Sequence, residues 1–96
     1  MLTNEDYSPE GIKNVSTEDI KREIEDLSRI NLEAAEFGFK AEQTGYMCLA
    51  FAYAAEMGVL KIKLSILDDE LKFREFADSF SRGEVDITAL LGSLFK

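Results

Sequence analysis

The strongest constraint on the fold is a stripe of mostly apolar or small residues that recur at alternating intervals of four and three. This spacing is typical of one face of an α-helix, and it extends from Ile20 to Phe80. The stripe consists of Ile20, Ile24, Leu27, Asn31, Ala34, Gly38, Ala41, Gly45, Cys48, Ala52, Ala55, Val59, Ile62, Ile66, Asp69, Phe73, Phe76 and Phe80. A single rod or coiled coil would satisfy the spacing. However, glycine within a helix costs about 1 kcal/mol relative to alanine. We therefore expect antiparallel helices with break points or close contacts at Gly38, Gly45 and Gly58.

The pattern predicts an all-α fold, a small bundle of three to four helices near 17–30, 32–57, 60–81 and 87–95. An antiparallel hairpin completed by dimerisation is a variant of the same expectation. Ser16 is the expected N-cap of the first helix, followed by acidic residues that favour a helix start. Residues 59–66 also alternate apolar and polar side chains, as a half-buried strand would. Helix is favoured because the chain offers no convincing second strand.

We predict one domain over residues 16–96, preceded by a loose arm over residues 1–15 that contains the only proline, Pro9. In the last helix, apolar residues over 87–95 would pack on the chain's own bundle or bind as a helix in a partner's groove.

The segment from Tyr46 to Leu60 is apolar on nearly every side of a helix. A chain of 96 residues has few helices with which to cover it. We therefore predict a homodimer whose self-association interface contains Tyr46, Cys48, Leu49, Ala52, Tyr53 and Ala55. Cys48 is the only cysteine, and its apolar neighbours are typical of a buried, reduced thiol in a cytoplasmic protein.

Charge is the second informative property. The chain has 19 acidic and 11 basic side chains and a net charge of −8. Residues 1–36 hold 10 acids and 4 bases. This charge repels a phosphate backbone, so we expect no direct nucleic-acid binding, and a basic protein is the partner it favours. The predicted partner-facing acidic surface consists of Glu18, Asp19, Glu23, Glu25 and Asp26.

Catalytic chemistry has little support in the sequence. Histidine is absent and there is one cysteine, which excludes Ser–His–Asp, Cys–His and zinc-ribbon sites. The acidic run Asp68-Asp69-Glu70 lacks the spacing of a calcium loop and is interpreted as helix capping. We predict no enzymatic activity, no catalytic, cofactor-binding or metal-binding residues, and no cofactor.

The longest uncharged run, residues 43–55, is too short to cross a bilayer, and residues 1–6 do not resemble a signal peptide. We expect a soluble cytoplasmic protein without membrane association.

Two functional hypotheses follow. The first is a non-enzymatic protein-interaction module, an adaptor, regulator or inhibitor of another protein, which self-associates through its apolar central helix. The alternative is an acidic, nucleic-acid-mimicking inhibitor of a basic nucleic-acid-binding protein, of the kind that phages use.

Overall fold

The computed structural model describes residues 1–81 and shows a hairpin of two long antiparallel helices. Helix α1 spans Thr17–Gln43 and helix α2 spans Met47–Ser81, and two short 3-10 turns at Asn4–Tyr7 and Ile12–Asn14 precede them. The described part of the chain is all-helical and contains no strand, which confirms the predicted class. A bundle of three to four helices is not confirmed, and the helix predicted over 87–95 lies outside the described residues.

Local sequence explains where helix α1 begins and where it ends. The Ser16 hydroxyl accepts a hydrogen bond from the backbone N–H of Asp19 at 3.1 Å, as expected of an N-cap. At the other end, Gly45 has a φ of 82°. Its N–H donates to the Glu42 carbonyl, and the N–H of Tyr46 donates to the Ala41 carbonyl at 2.9 Å. This is a Schellman motif, which explains why the chain turns at this glycine.

The expectation of a break or a close contact is confirmed at Gly45, where the chain turns, and at Gly38. It is wrong at Gly58, and the helix boundaries predicted near residues 31 and 58 are also wrong, because both helices continue through these positions. Gly38 is a point of close contact between the helices. A Cβ atom there would lie 3.2 Å from Cβ of Tyr53. Gly58 faces open space. Residues 59–66 lie within α2, so the strand alternative is also wrong.

The core lies toward the end of the hairpin away from the turn. Its buried members are Ile12, Ile20, Leu27, Leu60 and Leu67. On α2 the side chains that face α1 and the N-terminal residues form a stripe that we call the inner stripe. The inner stripe consists of Ala50, Tyr53, Met57, Leu60, Leu64, Leu67 and Leu71, all buried or half-buried.

Residues 1–15, predicted to be a loose arm, are folded against the hairpin; we call them the N-terminal arm. Ile12 is only 5% exposed and belongs to the core. The Tyr7 hydroxyl and the backbone N–H of Leu2 both donate to Glu23 Oε2, each at 3.0 Å. Glu23 is therefore buried, and its assignment to the acidic surface is wrong. Its carboxylate holds the arm instead, because a buried charge must be hydrogen-bonded.

Arg74 attaches the arm at a second point. Its Nε donates to Glu70 Oε1 at 3.0 Å, its Nη1 to Thr17 Oγ1 at 3.1 Å, and its Nη2 to the carbonyl of Ile12 at 3.0 Å. The planar guanidinium can satisfy three acceptors at once in this way. It thereby connects the arm, the start of α1 and α2.

Candidate functional site

The candidate site is an apolar stripe on the face of α2 that points away from α1. At 3.6 residues per turn, this stripe lies nearly opposite the inner stripe. We call it the outer stripe. The outer stripe consists of Cys48, Ala52, Ala55, Val59, Ile62, Ile66, Asp69, Phe73, Phe76 and Phe80. All of these residues are exposed except Ile66, which is half-buried. Helix α2 therefore has two apolar faces. Helix α1 and the arm cover the inner one and leave the outer one exposed except at Ile66, which packs against the core.

Apart from Ile66, the large apolar side chains of the outer stripe are exposed over about half of their surface or more. Val59 is 53% exposed, Ile62 64% and Phe73 56%. The N-terminal arm passes along one edge of the stripe, where Lys13 Nζ lies 4.7 Å from the centroid of the Phe73 ring. This cation–π contact leaves more than half of the phenylalanine accessible. The arm therefore borders the outer stripe without covering it.

The predicted interface residues do not all lie on one surface. Cys48, Ala52 and Ala55 lie together on the outer stripe. Tyr46 and Leu49 are exposed near the turn. Tyr53 belongs to the inner stripe and is half-buried within the hairpin, where its ring stacks on Phe37 with centroids 6.0 Å apart.

The prediction of Tyr53 as an interface residue thus needs correction. Because it faces α1, its apolar surface is used within the hairpin. Within the single chain, the expected burial of Cys48 is not found, since its thiol is free and exposed.

The stripe also continues past the predicted interface. The predicted interface lies at residues 46–55 and does not include the exposed stripe residues from Val59 to Phe80. The signal for the extension was the four–three spacing itself, which is unbroken through Phe80.

The acidic residues of α1 form a mixed surface. Glu18, Asp19 and Glu25 are exposed and Asp26 is half-buried. Two arginines alternate with these acids. Arg22 lies 3.4 Å from Asp19, and Arg29 lies 3.6 Å from Asp26. Exposed pairs of this kind contribute about 0–1 kcal/mol, but they reduce the negative potential of the surface.

Titratable groups with shifted pKa values have structural roles. Burial raises the pKa of the Tyr7 phenol, and the hydrogen bond to Glu23 and the charges of Glu23 and Asp6 raise it further. A hydrogen bond to Asp68 raises the pKa of Lys72, with the two groups 2.8 Å apart on the surface of α2.

Other kinds of site have little support in residues 1–81. This range contains no cluster of three or more metal-ligating side chains. An open groove of about 500 Å³ runs between the helices, lined by Thr17, Lys21, Leu71, Arg74, Glu75 and Asp78. Neither of the two helices is long and apolar enough to span a bilayer.

Comparison with known proteins yields no match, whether to a protein-family model, to a curated protein or to a solved structure.

Proposed function

We propose that this chain is a non-enzymatic protein-interaction module of the cytoplasm that self-associates through the outer stripe of α2. The observation that supports the proposal is the second apolar face of a helix whose first face is already packed. A monomer would keep Ile62 and three phenylalanines in contact with water along one face of α2, which Asp69 interrupts. Large exposed apolar patches are typical of interaction sites.

The energies are of the right size for association. Fully burying a large apolar side chain contributes about 1.5–3 kcal/mol. Five large side chains of the outer stripe are each about half exposed: Val59, Ile62, Phe73, Phe76 and Phe80. Burying the exposed part of each would contribute about 1 kcal/mol, or about 10 kcal/mol from two copies. This is comparable to the cost of association, about 4–15 kcal/mol.

The acidic side of α1 would remain available in such a dimer, because α1 lies on the opposite side of α2. A basic protein is the partner that this surface favours. The module would then act as an adaptor, regulator or inhibitor of that protein. Two copies of the acidic surface in one particle would strengthen binding to any target with two basic sites.

The test is the mass in solution, measured by light scattering across a concentration series. We expect twice the chain mass of 10.8 kDa for the wild type. Replacing Ala52 with Glu should give the monomer mass, because a charge would be buried in the interface. Ala54→Glu is the matched control, since Ala54 is exposed but lies off the outer stripe. A wild type that is monomeric throughout, or a dimeric Ala52→Glu variant, would contradict the proposal.

The acidic inhibitor has less support. Arg22 and Arg29 interrupt the acidic face, and Glu23 is removed from it by burial. Nucleic-acid mimicry would require binding to a basic protein that weakens steeply as ionic strength rises. Binding that is insensitive to salt would exclude it.

A further inference from the structure

We infer that the self-associated form is an antiparallel dimer in which the outer stripes of two copies pack along their full length. In this arrangement Cys48, Ala52 and Ala55 contact Phe80, Phe76 and Phe73 of the partner subunit. The inference rests on the proposed self-association and adds the orientation and register of the two α2 helices.

The first argument is the distribution of side-chain size along the outer stripe. Its beginning, near the turn, has three small residues, and its end has three phenylalanines. Between them lie branched apolar residues and Asp69. The small and large ends lie 32 residues apart on one helix, about 48 Å at 1.5 Å per residue.

The second argument is the spacing. The steps from Cys48 forward to Ile62 are four, three, four and three residues. The steps from Phe80 back to Ile66 are also four, three, four and three. An antiparallel dimer with its two-fold axis between Ile62 and Ile66 therefore pairs every member of one stripe with a member of the other.

Packing favours this orientation over a parallel one. A parallel dimer would place phenylalanine against phenylalanine at one end and alanine against alanine at the other. The first end would be overpacked and the second would contain voids, and each is destabilising. In the antiparallel register each layer combines one small and one large side chain, which keeps the packing density even.

The contact area favours the full-length register. A strip about 48 Å long and about 10 Å wide, the width of a helix, covers about 500 Å² on each copy, or about 1,000 Å² in total. A biological interface is expected to bury at least about 1,000 Å². A register displaced by one heptad would leave either Phe76 and Phe80 or Cys48 and Ala52 without a counterpart on α2, and the buried area would fall below this size.

A third argument concerns Asp69, the charged member of the stripe, which would lie opposite Val59 of the partner subunit. A charge in an otherwise apolar contact costs stability, but it disfavours every register in which it would be fully buried. Asp69 is exposed on α2, and opposite the short Val59 side chain its carboxylate would extend past the contact to water. The full-length register is therefore compatible with it.

The chain's own last residues are a competing occupant. The helix predicted over 87–95 would be about 14 Å long. A helix of that length is too short to cover both ends of the outer stripe, which lie about 48 Å apart. A second copy covers both ends with a single contact.

Cysteine cross-linking of the full chain tests the register. In the wild type the two copies of Cys48 would be about 48 Å apart, so mild oxidation should give no disulfide-linked dimer. In Phe80→Cys, each new thiol would lie against Cys48 of the partner subunit, and a linked dimer should form. The matched control is Phe80→Cys combined with Cys48→Ala, which should not cross-link.

An exchange of the small and the large side chain within one layer tests the register independently. Ala52→Phe alone and Phe76→Ala alone should each weaken dimerisation at least tenfold. Their combination exchanges the small and large partners within one layer and should restore the dimer Kd to within about threefold of the wild type. If the double variant showed the product of the two single-variant increases in Kd, the register would be overturned.

The outcomes separate this inference from the proposed function. A dimer that cross-links through Cys48 alone, or without rescue in the swap, would overturn the antiparallel register and leave self-association standing. A wild type that is monomeric at every concentration would overturn both.

Discussion

The two ends of the hairpin differ in what covers their apolar residues. At the arm end, residues 1–30 and 60–81, large side chains such as Ile20 and Leu67 are fully buried. At the turn end, residues 31–59, the buried contacts are alanines, Ala34 and Ala41. Large apolar residues there remain exposed, including Phe39 and Phe51 at more than 60%.

This difference has a simple cause. Two helices can cover only one face of each other, so large side chains beside their contact stay exposed unless a third layer covers them. The N-terminal arm supplies that layer at the arm end. The turn end lacks one among the described residues, and its helices instead approach closely at Gly38. The stability of the monomer should therefore reside at the arm end, and the capacity for association along α2.

The largest expected effect is loss of a core side chain at the arm end. Leu67→Ala should lower the free energy of unfolding by about 2–5 kcal/mol, because it leaves a cavity beside Ile20. Leu49→Ala, at the turn end of the same helix, should cost well under 1 kcal/mol because Leu49 is 49% exposed. Urea unfolding followed by circular dichroism measures both, and equal losses would contradict the comparison.

A smaller effect is expected where the arm is attached to α1. Tyr7→Phe removes one of the two donors to the Glu23 carboxylate and should cost about 1–3 kcal/mol at neutral pH. Tyr46→Phe is the control, since Tyr46 is 68% exposed. Proteolysis within residues 1–15 should also accelerate in Tyr7→Phe only. An unchanged rate would mean that the hydrogen bond from Tyr7 to Glu23 does not hold the arm in place.

The same contact predicts a dependence on pH. The pKa of Tyr7 is higher in the folded chain than its ordinary value of about 10. Its stabilising contribution is therefore complete below about pH 10 and is lost as the pH rises through the folded value. Wild type should therefore lose stability more steeply than Tyr7→Phe as the pH rises above about 10. If the stability of the two proteins fell equally with pH, the assignment of this pH dependence to Tyr7 would be contradicted.

The smallest expected effect is a gain in stability rather than a loss, at a glycine of α2. Gly58→Ala should stabilise α2 by about 0.5–1 kcal/mol, because alanine is the better helix former and its Cβ meets open space. Gly38→Ala has the same gain in propensity, but its Cβ would press on Tyr53. It should be neutral or destabilising in thermal unfolding. A larger gain at Gly38 than at Gly58 would show that the helices do not approach closely there.

The helical class and the turn at Gly45 could be predicted because both depend on neighbouring residues. Four–three spacing over Ile20 to Ala41 identified the face of α1 that contacts α2. The same stripe continued beyond the turn into the solvent-facing side of α2. Spacing cannot indicate which of two apolar stripes faces inward, because that depends on how the turn rotates the second helix relative to the first.

The sequence does not predict that the arm folds against the hairpin. The fold of the arm depends on Glu23 and Arg74, which are distant in sequence from the residues they hold. Arg74 bonds the carbonyl of Ile12 across 62 positions. In sequence, Glu23 looks like one more acid on a solvated helix face. Only the juxtaposition with Tyr7 and Leu2 shows that it is buried.

The position of the core far from Gly45 has a consequence for the order of folding. Contacts near the turn close short loops and cost little chain entropy, but they join mainly small residues. The strongly stabilising core brings together residues far apart in the sequence, such as Ile20 and Leu67, which are 47 positions apart. A hairpin that forms first at its turn therefore gains little until it has closed almost completely. The rate-limiting step should then include the distant ends of the chain, so that folding is slower than for helical proteins with mostly local contacts.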